Sequence, residues 1–306
     1  MPTYRISSLT VSSEVGLPGA VPLSAESAAP DVVVRLRPVP EHLERTTQQG
    51  PNWEVADGHF LLRLPAIGRF LASGGRFLDM QPNPGTDPTD ALPFLMGTCF
   101  GALLHQRGTM VLHAATVSRD GRAYAVCGPS GAGKSTMAAA LNQGGCDFIG
   151  DDIAVVDLDG NGRPQVWPDG RRLKLFDDSI HQCGLHEGRG DPVRVGIPKY
   201  FVDPVRPGPD APVPLAAIYV MQAVKAPQPE EIVRLPPIDA AQTLLNQSYR
   251  PRLSLAFAAI QGSRQVELTA AILRHVPVFR LDRRLNLERL AHTAETLQTH
   301  WRSLAS

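Results

Sequence analysis

A glycine-rich segment that ends in lysine and serine is the clearest chemical pattern in the sequence. The segment from Gly128 to Ser135 reads GPSGAGKS and fits G-x-x-x-x-G-K-[ST]. Glycines let backbone N–H groups turn inward around phosphate oxygens, the lysine reaches the outer phosphates, and the serine hydroxyl can hold Mg²⁺. The pattern predicts a phosphate-binding loop, or P-loop, whose binding residues are Gly128, Ser130, Gly131, Ala132, Gly133, Lys134, Ser135 and Thr136.

Two adjacent aspartates follow this loop at a spacing that suits phosphoryl transfer. Asp151 comes 17 residues after Lys134, which leaves room for one short helix and one short strand. We therefore expect the pair at the end of a strand next to the P-loop strand, with the two side chains on opposite sides. Asp151 can hold Mg²⁺ with Ser135, and Asp152 can accept the proton of an attacking hydroxyl. The alternative is a pair that caps the following turn.

A histidine upstream of the loop completes the candidate site. The sequence predicts a strand over 109–118, a tight hairpin turn at Asp120-Gly121 and a return strand over 122–127. Arg119 then faces Arg122, and the same register places His113 across from Gly128. We expect His113 to orient or tune Asp152. The alternative is an ordinary half-buried strand histidine.

Around these residues the apolar patterns predict an α/β core. A second hairpin is expected over 153–167, and 177–214 is rich in turns and suits a mobile lid that includes Lys199. The apolar stripe from Leu287 to Leu304 predicts a helix packed on the core, with a dimer contact as the alternative. The remaining predicted helices cover 91–107, 134–143, 238–246 and 265–274, and the remaining predicted strands cover 215–223 and 277–281.

The N-terminal part differs from this core. Residues 1–88 are rich in Pro, Gly and Ser and carry short strand-like runs such as 32–36 and 59–64, ending in a linker or long turn at 81–88. We predict a small β-rich region over 1–88, with substrate binding as its suggested role, and a catalytic core over 89–306. Three cations, Arg171, Arg172 and Lys174, are expected on a solvated strand face, with phosphate or acidic peptide as the alternative partner.

Composition excludes several classes of protein. The chain has 306 residues, with 30 Lys and Arg against 30 Asp and Glu, and zero net charge disfavours nucleic-acid binding. No apolar run approaches the roughly 20 residues that span a bilayer. The first residues lack the features of a signal peptide, so a cytoplasmic protein without a membrane partner is expected. The four cysteines have no CxxC spacing and are expected to be reduced thiols.

Three short segments together resemble the catalytic core of the HPr kinase/phosphorylase family: Leu112-His113-Ala114-Ala115, Gly128–Thr136 and Gly150-Asp151-Asp152. The likeness is dense over 109–160 and looser to 225. It implies an α/β P-loop kinase core of the phosphoenolpyruvate carboxykinase type with a mixed sheet, ATP and Mg²⁺ as cofactors, and a serine hydroxyl as acceptor. It also implies that an aspartate of the 151/152 pair is the base, that His113 lies near it, and that a homo-oligomer is an option.

The likeness has one clear departure. Bifunctional members of that family carry a glutamate-containing signature after the aspartate pair, whereas residues 171–178 here read RRLKLFDD. The whole chain looks more like the shorter members that phosphorylate a serine of a precursor peptide in lasso-type tailoring pathways. The resemblance thus implies an ATP-dependent serine kinase acting on a peptide or small protein. The alternatives are a small-molecule kinase on the same core, an HPr serine kinase and a non-catalytic ATP-binding sensor.

Overall fold

The computed structural model describes residues 1–20, 22–23, 29–194 and 196–305. The chain forms two compact units. The first contains Met1–Val111 and Ser248–Leu268, and the second contains Leu112–Gln247 and Thr269–Ser306. The predicted division at residues 88 and 89 differs from this one. The segment after residue 88 stays in the first unit, where the Gln106 amide donates to the Ala72 carbonyl oxygen at 3.0 Å.

The first unit is built on an eight-stranded sheet, as the strand-like runs predict. Strands β3 and β6 have the predicted bounds. Strand β3 pairs in parallel with β2 and β8, and the other neighbours are antiparallel. The order across the sheet is β1-β2-β3-β8-β7-β6-β5-β4. The strands are β1 (Thr3–Ile6), β2 (Leu9–Ser13), β3 (Val32–Leu36), β4 (Gln48–Gly50), β5 (Trp53–Ala56), β6 (His59–Leu64), β7 (Gly68–Ser73) and β8 (Phe77–Pro82).

A helical segment follows the sheet. Helix α1 (Pro88–Phe94) begins after Asp87, whose side chain accepts a hydrogen bond from the Thr89 backbone N–H at 2.8 Å. A π-helical turn (Leu95–Cys99) leads into α2 (Phe100–Gln106). The predicted helix over 91–107 is therefore confirmed in place but interrupted. The predicted linker is shorter than expected, because β8 continues through Pro82.

The second unit holds a mixed sheet, in agreement with the predicted fold class. Its central order is β12-β10-β11-β18-β20-β19, in which β11, β18 and β20 are parallel. Strands β15, β17 and β16 form a small separate sheet. The strands are β9 (Met110–Leu112), β10 (Ala114–Arg119), β11 (Arg122–Cys127), β12 (Asp147–Gly150), β13 (Ala154–Leu158), β14 (Pro164–Val166), β15 (Leu173–Phe176), β16 (Arg189–Pro192), β17 (Lys199–Val202), β18 (Val213–Ala223), β19 (Glu231–Arg234) and β20 (Val278–Arg283).

Five more helices complete the chain. Trp301 of α7 stacks on Tyr124 of β11 with ring centroids 3.9 Å apart, and Leu290, Ala294 and Leu297 share its core. This confirms the expected packing of the C-terminal stripe. The helices are α3 (Lys134–Gln143), α4 (Asp177–Gln182), α5 (Pro237–Asn246), α6 (Pro251–His275) and α7 (Leu290–Ala305), the last preceded by a short 3₁₀ turn (Leu287–Arg289).

Three predictions about these elements are wrong in part. The single strand expected over 109–118 is two strands, β9 and β10, separated at His113. The helix expected over 265–274 begins at Pro251 instead, 14 residues earlier. The strand before the aspartate pair, β12, lies beside β10 and not beside the P-loop strand β11, because β10 occupies that edge of β11 in the hairpin. Among the described helices, none is both long enough and apolar enough to cross a membrane.

Candidate phosphate and metal site

The candidate phosphate loop, Gly128–Gly133, connects β11 to α3 as predicted. Gly131 and Gly133 have φ values of 81° and 85°, a backbone region that favours glycine. Gly133 is also the N-cap of α3, so the free N–H groups of the first helical turn follow directly. These N–H groups and the positive end of the helix dipole make the loop suitable for phosphate oxygens.

Lys134 is the first residue of α3 and is buried, with 8% of its surface exposed. Its ammonium donates to the backbone carbonyl oxygens of Gly128, at 2.9 Å, and Pro129, at 3.2 Å. Burial lowers the pKa of Lys134, while the carboxylates of Asp152 and Asp151 oppose that effect. The lysine is thus held within the loop, beside the place where the loop N–H groups would hold an anion.

Ser135 and Asp151 are in direct contact. The Ser135 hydroxyl donates to Asp151 Oδ1 at 2.8 Å, and the backbone N–H of Lys174 donates to Asp151 Oδ2 at 3.2 Å. Adjacent ligands of an octahedral Mg²⁺, each about 2.1 Å from the metal, lie about 3 Å apart. The hydroxyl and carboxylate oxygens therefore have both the chemistry and the separation that Mg²⁺ requires.

Asp152 faces a different set of partners. His113 Nδ1 lies 3.3 Å from Asp152 Oδ1 and 3.1 Å from the Asp152 carbonyl oxygen, and Lys174 Nζ lies 3.8 Å from Oδ2. Because both neighbours of Nδ1 are acceptors, that nitrogen carries the proton. Burial opposes ionisation, but the His113 hydrogen bond and the Lys174 charge hold the pKa of Asp152 well below its usual value. The carboxylate is ionised at neutral pH.

The structure brings the aspartates and His113 together by a route that differs from the expected one. Asp152 has a φ of 81° and lies in a turn, so the two carboxylates diverge because of this turn and not because of strand alternation. The hairpin pairs Arg119 with Arg122 and continues to Ala114 and Cys127, in the predicted register. His113 then lies just beyond the paired residues.

Gln247, which the sequence gave no reason to single out, joins the two strand ends. Its carbonyl oxygen accepts from the His113 backbone N–H at 2.8 Å, and its side-chain Oε1 accepts from the Gly128 N–H at 2.9 Å. Gln247 follows the last residue of α5. It therefore fixes the histidine relative to the first residue of the phosphate loop.

A buried ion pair lies behind the aspartates. Asp169 and Arg171 are 1% and 6% exposed, and Arg171 Nε donates to Asp169 Oδ2 at 2.9 Å. Burial raises the pKa of Asp169, and the Arg171 charge opposes that change. A Cβ atom on Gly150 would lie 2.7 Å from Asp169 Cβ, so the pair packs directly against the residue that precedes the aspartates.

The expectation that Arg171, Arg172 and Lys174 form a solvated strand face is therefore wrong for two of the three. Arg171 is buried with Asp169, and the Lys174 side chain, 17% exposed, turns towards Asp152. Only Arg172 fits the prediction, since it is 43% exposed and pairs with Asp203. The alternation of charge and leucine in this stretch could not show which face meets the aspartates.

The other predicted site residues lie at the edge of this arrangement. Ser130 is an exposed loop residue, and Ala132 is half-buried. Thr136 Oγ1 lies 2.9 Å from the Ser179 hydroxyl of α4, so it links α3 to α4. Lys199 Nζ lies 5.4 Å from the centre of the Phe176 ring. The lid predicted over 177–214 includes α4, β16 and β17, which give it more regular structure than its composition indicates.

Comparisons with known proteins give a limited result. No family profile matches the sequence, and no curated protein matches it. Among solved structures, a structural neighbour is the Hpr(Ser) kinase/phosphatase from Coxiella burnetii, with a TM-score of 0.33 and 10% sequence identity. The match covers 64% of this chain and 99% of that chain. Values of this size do not establish a shared activity, so the function rests on the contacts described above.

Proposed function

We propose that this protein is an ATP-dependent kinase that transfers the γ-phosphoryl group to a serine hydroxyl of a peptide or small protein. The observation that carries the proposal is the 2.8 Å contact between Ser135 and Asp151, which joins a glycine-rich phosphate loop to a carboxylate. Asp152, ionised and held by His113, lies next to that contact. Phosphoryl transfer needs these parts because the protein mainly positions groups and balances charge.

In this proposal the phosphate loop and Lys134 bind the triphosphate. The backbone N–H groups at the start of α3 point towards the phosphates, and the Lys134 ammonium exchanges its carbonyl partners for phosphate oxygens. Ser135 and Asp151 are the residues that would hold Mg²⁺, and the ion, when bound, neutralises charge on the β- and γ-phosphates. Gln247 keeps the loop in place through its hydrogen bond to Gly128.

Asp152 is the proposed base. The serine Oγ–H proton passes to the Asp152 carboxylate as Oγ forms its bond to the γ-phosphorus, and the bond from that phosphorus to the bridging oxygen breaks to release ADP. The low pKa of Asp152 makes it a weak base, so the proton moves late, when the new bond has already acidified the hydroxyl. His113 orients the carboxylate through Nδ1, and Lys174 balances its charge.

The nature of the acceptor follows from the sequence resemblance and is part of the proposal. Likeness to the shorter HPr-kinase-like proteins favours a precursor peptide of a lasso-type tailoring pathway. The cations Arg171 and Lys174 near the aspartates are consistent with a departure from the bifunctional enzymes, whose signature in this stretch contains a glutamate. We propose transfer in the kinase direction alone.

The test is phosphoryl transfer from γ-labelled ATP to separate pools of serine-containing peptides and of small metabolites. Wild-type protein should label a peptide, and Asp152→Asn should lower the rate by at least about 100-fold while MgATP affinity changes little. Asp178→Asn, on an exposed residue of α4, is the matched control and should keep the wild-type rate.

Each other outcome points elsewhere. Label confined to the metabolite pool would make the protein a small-molecule kinase. ATP binding without any labelled product would favour a nucleotide sensor. Full turnover by Asp152→Asn would remove Asp152 from the role of base.

A further inference from the structure

The first unit contains a cavity that the proposed chemistry does not use. It has a volume of about 560 Å³, within the range of ligand sites in proteins. Its apolar wall comes from Trp53, Phe60 and Leu62 of strands β5 and β6 and from Phe94 at the end of α1. Trp53 is half-buried, so part of its ring remains available to a ligand.

Two arginines, Arg250 and Arg252, line the same cavity where α6 begins. Both are exposed, and neither forms an ion pair with a carboxylate within the described residues. Other arginines of this unit do have such partners, since Arg63 pairs with Glu54 and Arg69 with Glu41. The cavity therefore combines an apolar aromatic wall with two cations that lack a counter-charge.

We infer that this cavity binds an acidic segment of the peptide substrate. A large apolar side chain of that segment fills the space beside Trp53, Phe60 and Phe94, and two flanking carboxylates pair with Arg250 and Arg252. The inference rests on the proposed function in one respect, which is that the bound peptide is the one phosphorylated. It assigns peptide recognition to the first unit.

The chemistry of the wall and of the cations determines this choice. Exposed ion pairs contribute little each, so the apolar side chain supplies most of the affinity and the arginines supply the preference for acid. Two separate cations suit a ligand with two carboxylates, which an acidic peptide has and a fatty acid lacks. A basic segment is excluded by like charge.

The experiment measures binding to the full chain without nucleotide, by fluorescence anisotropy of labelled peptide pools. The probe pool is fluorescein-Gly-Asp-Φ-Glu-Gly-amide, with Φ an equal mixture of Leu, Phe and Trp. One control pool has Lys at both acidic positions, and a second has Ala at Φ. Sodium decanoate is a separate competitor that carries one carboxylate on an apolar chain.

Charge reversal gives the matched variants. Arg250→Glu/Arg252→Glu should weaken binding of the acidic pool at least about tenfold and should gain binding of the lysine pool. Arg5→Glu/Arg45→Glu makes the same charge change at exposed positions of the same unit outside the cavity and should bind like wild type. Because all four arginines are exposed, equal thermal unfolding of the variants is expected.

Several results would overturn the inference. They are equal binding of the acidic and lysine pools, no saturable binding up to about 1 mM, or saturable binding of decanoate that no peptide displaces. The last result would assign the cavity to a small apolar acid. Because this assay contains no ATP, it can succeed when phosphoryl transfer fails, and transfer can succeed when this binding fails. Where both hold, Arg250→Glu/Arg252→Glu should raise KM for peptide and leave kcat unchanged.

Discussion

The guanidinium group of Arg283 lies against the phosphate loop, with one terminal nitrogen 3.2 Å from the carbonyl oxygen of Ala132. Arg283 is the last residue of β20 and reaches past Met221 of β18, whose sulfur is 3.9 Å away. The side chain is buried, and its Nε has no hydrogen-bond partner among the described residues. Burial lowers the pKa of Arg283, which shows how incompletely its charge is balanced. A bound triphosphate would supply the missing anion.

Arg283→Met should therefore weaken MgATP binding by about tenfold or more, because the loop loses a carbonyl partner and the phosphates lose a nearby cation. The measurement is calorimetric titration with a non-hydrolysable ATP analogue. Arg283→Lys should recover part of the affinity. The neighbouring Arg284 is exposed, and Arg284→Met should bind like wild type. Wild-type affinity in Arg283→Met would show that this arginine serves the fold alone.

Ser135→Ala should raise the Mg²⁺ concentration needed for half-maximal activity by about tenfold or more. The variant keeps the glycine loop but removes the oxygen that contacts Asp151 at 2.8 Å. Magnesium titration of the transfer rate at fixed ATP measures the effect. Ser135→Thr retains a hydroxyl at the same place and should remain near wild type. An unchanged magnesium dependence in Ser135→Ala would move the metal away from this serine.

Gly150→Ala should destabilise the protein by about 1–3 kcal/mol. The added methyl would lie 2.7 Å from Asp169 Cβ, and Asp169 cannot move away without breaking its buried contact with Arg171. Urea unfolding gives the free energy change. Gly160, in the β13–β14 turn, has open space around it, so Gly160→Ala should change stability by less than about 0.5 kcal/mol. Equal stability of the two variants would contradict the close packing.

Glu54 should make the first unit sensitive to acid. Although burial raises its pKa, hydrogen bonds from the Leu43 N–H, Arg63 and His42 outweigh that effect and lower the pKa to about 2 from the usual 4.5. Because the folded-state pKa is the lower one, this stabilisation is fully present above pH 4.5. It is lost as pH falls towards 2.

Glu54→Gln should cost about 1–3 kcal/mol at pH 7 and flatten the loss of stability between pH 5 and pH 2. Urea unfolding across that pH range tests both effects. Glu44→Gln, at an exposed position nearby, should keep the wild-type pH profile. A wild-type profile in Glu54→Gln would assign the acid sensitivity to other groups.

Features set by neighbouring residues could be predicted from the sequence. Asp120 and Gly121 both have positive φ, the conformation that a two-residue hairpin turn requires, and the turn alone determined the register of β10 and β11. Helix α3 has the predicted bounds because glycine precedes it and follows it. The contact of Ser135 with Asp151 followed from chain length between the loop and the next strand end.

Features set by distant parts of the chain could not be predicted in the same way. The place of β12 depends on strand order, which local patterns do not encode. Gln247 is 119 residues from Gly128, and no pattern around it indicates a link to the loop. Arg283 had one available signal, its position at the carboxyl end of a strand parallel to β11. That signal requires knowing the sheet order beforehand.

The division of the chain into units also constrains the order of folding during synthesis. The first unit needs residues 248–268 and so cannot be completed when the N-terminal 111 residues have left the ribosome. By the time residue 268 emerges, the long segment 112–247 of the second unit is already outside. The usual sequence, in which the N-terminal domain finishes before the next begins, is closed to this protein. Its two units must mature together, and a chain truncated within 248–268 would leave both unfinished.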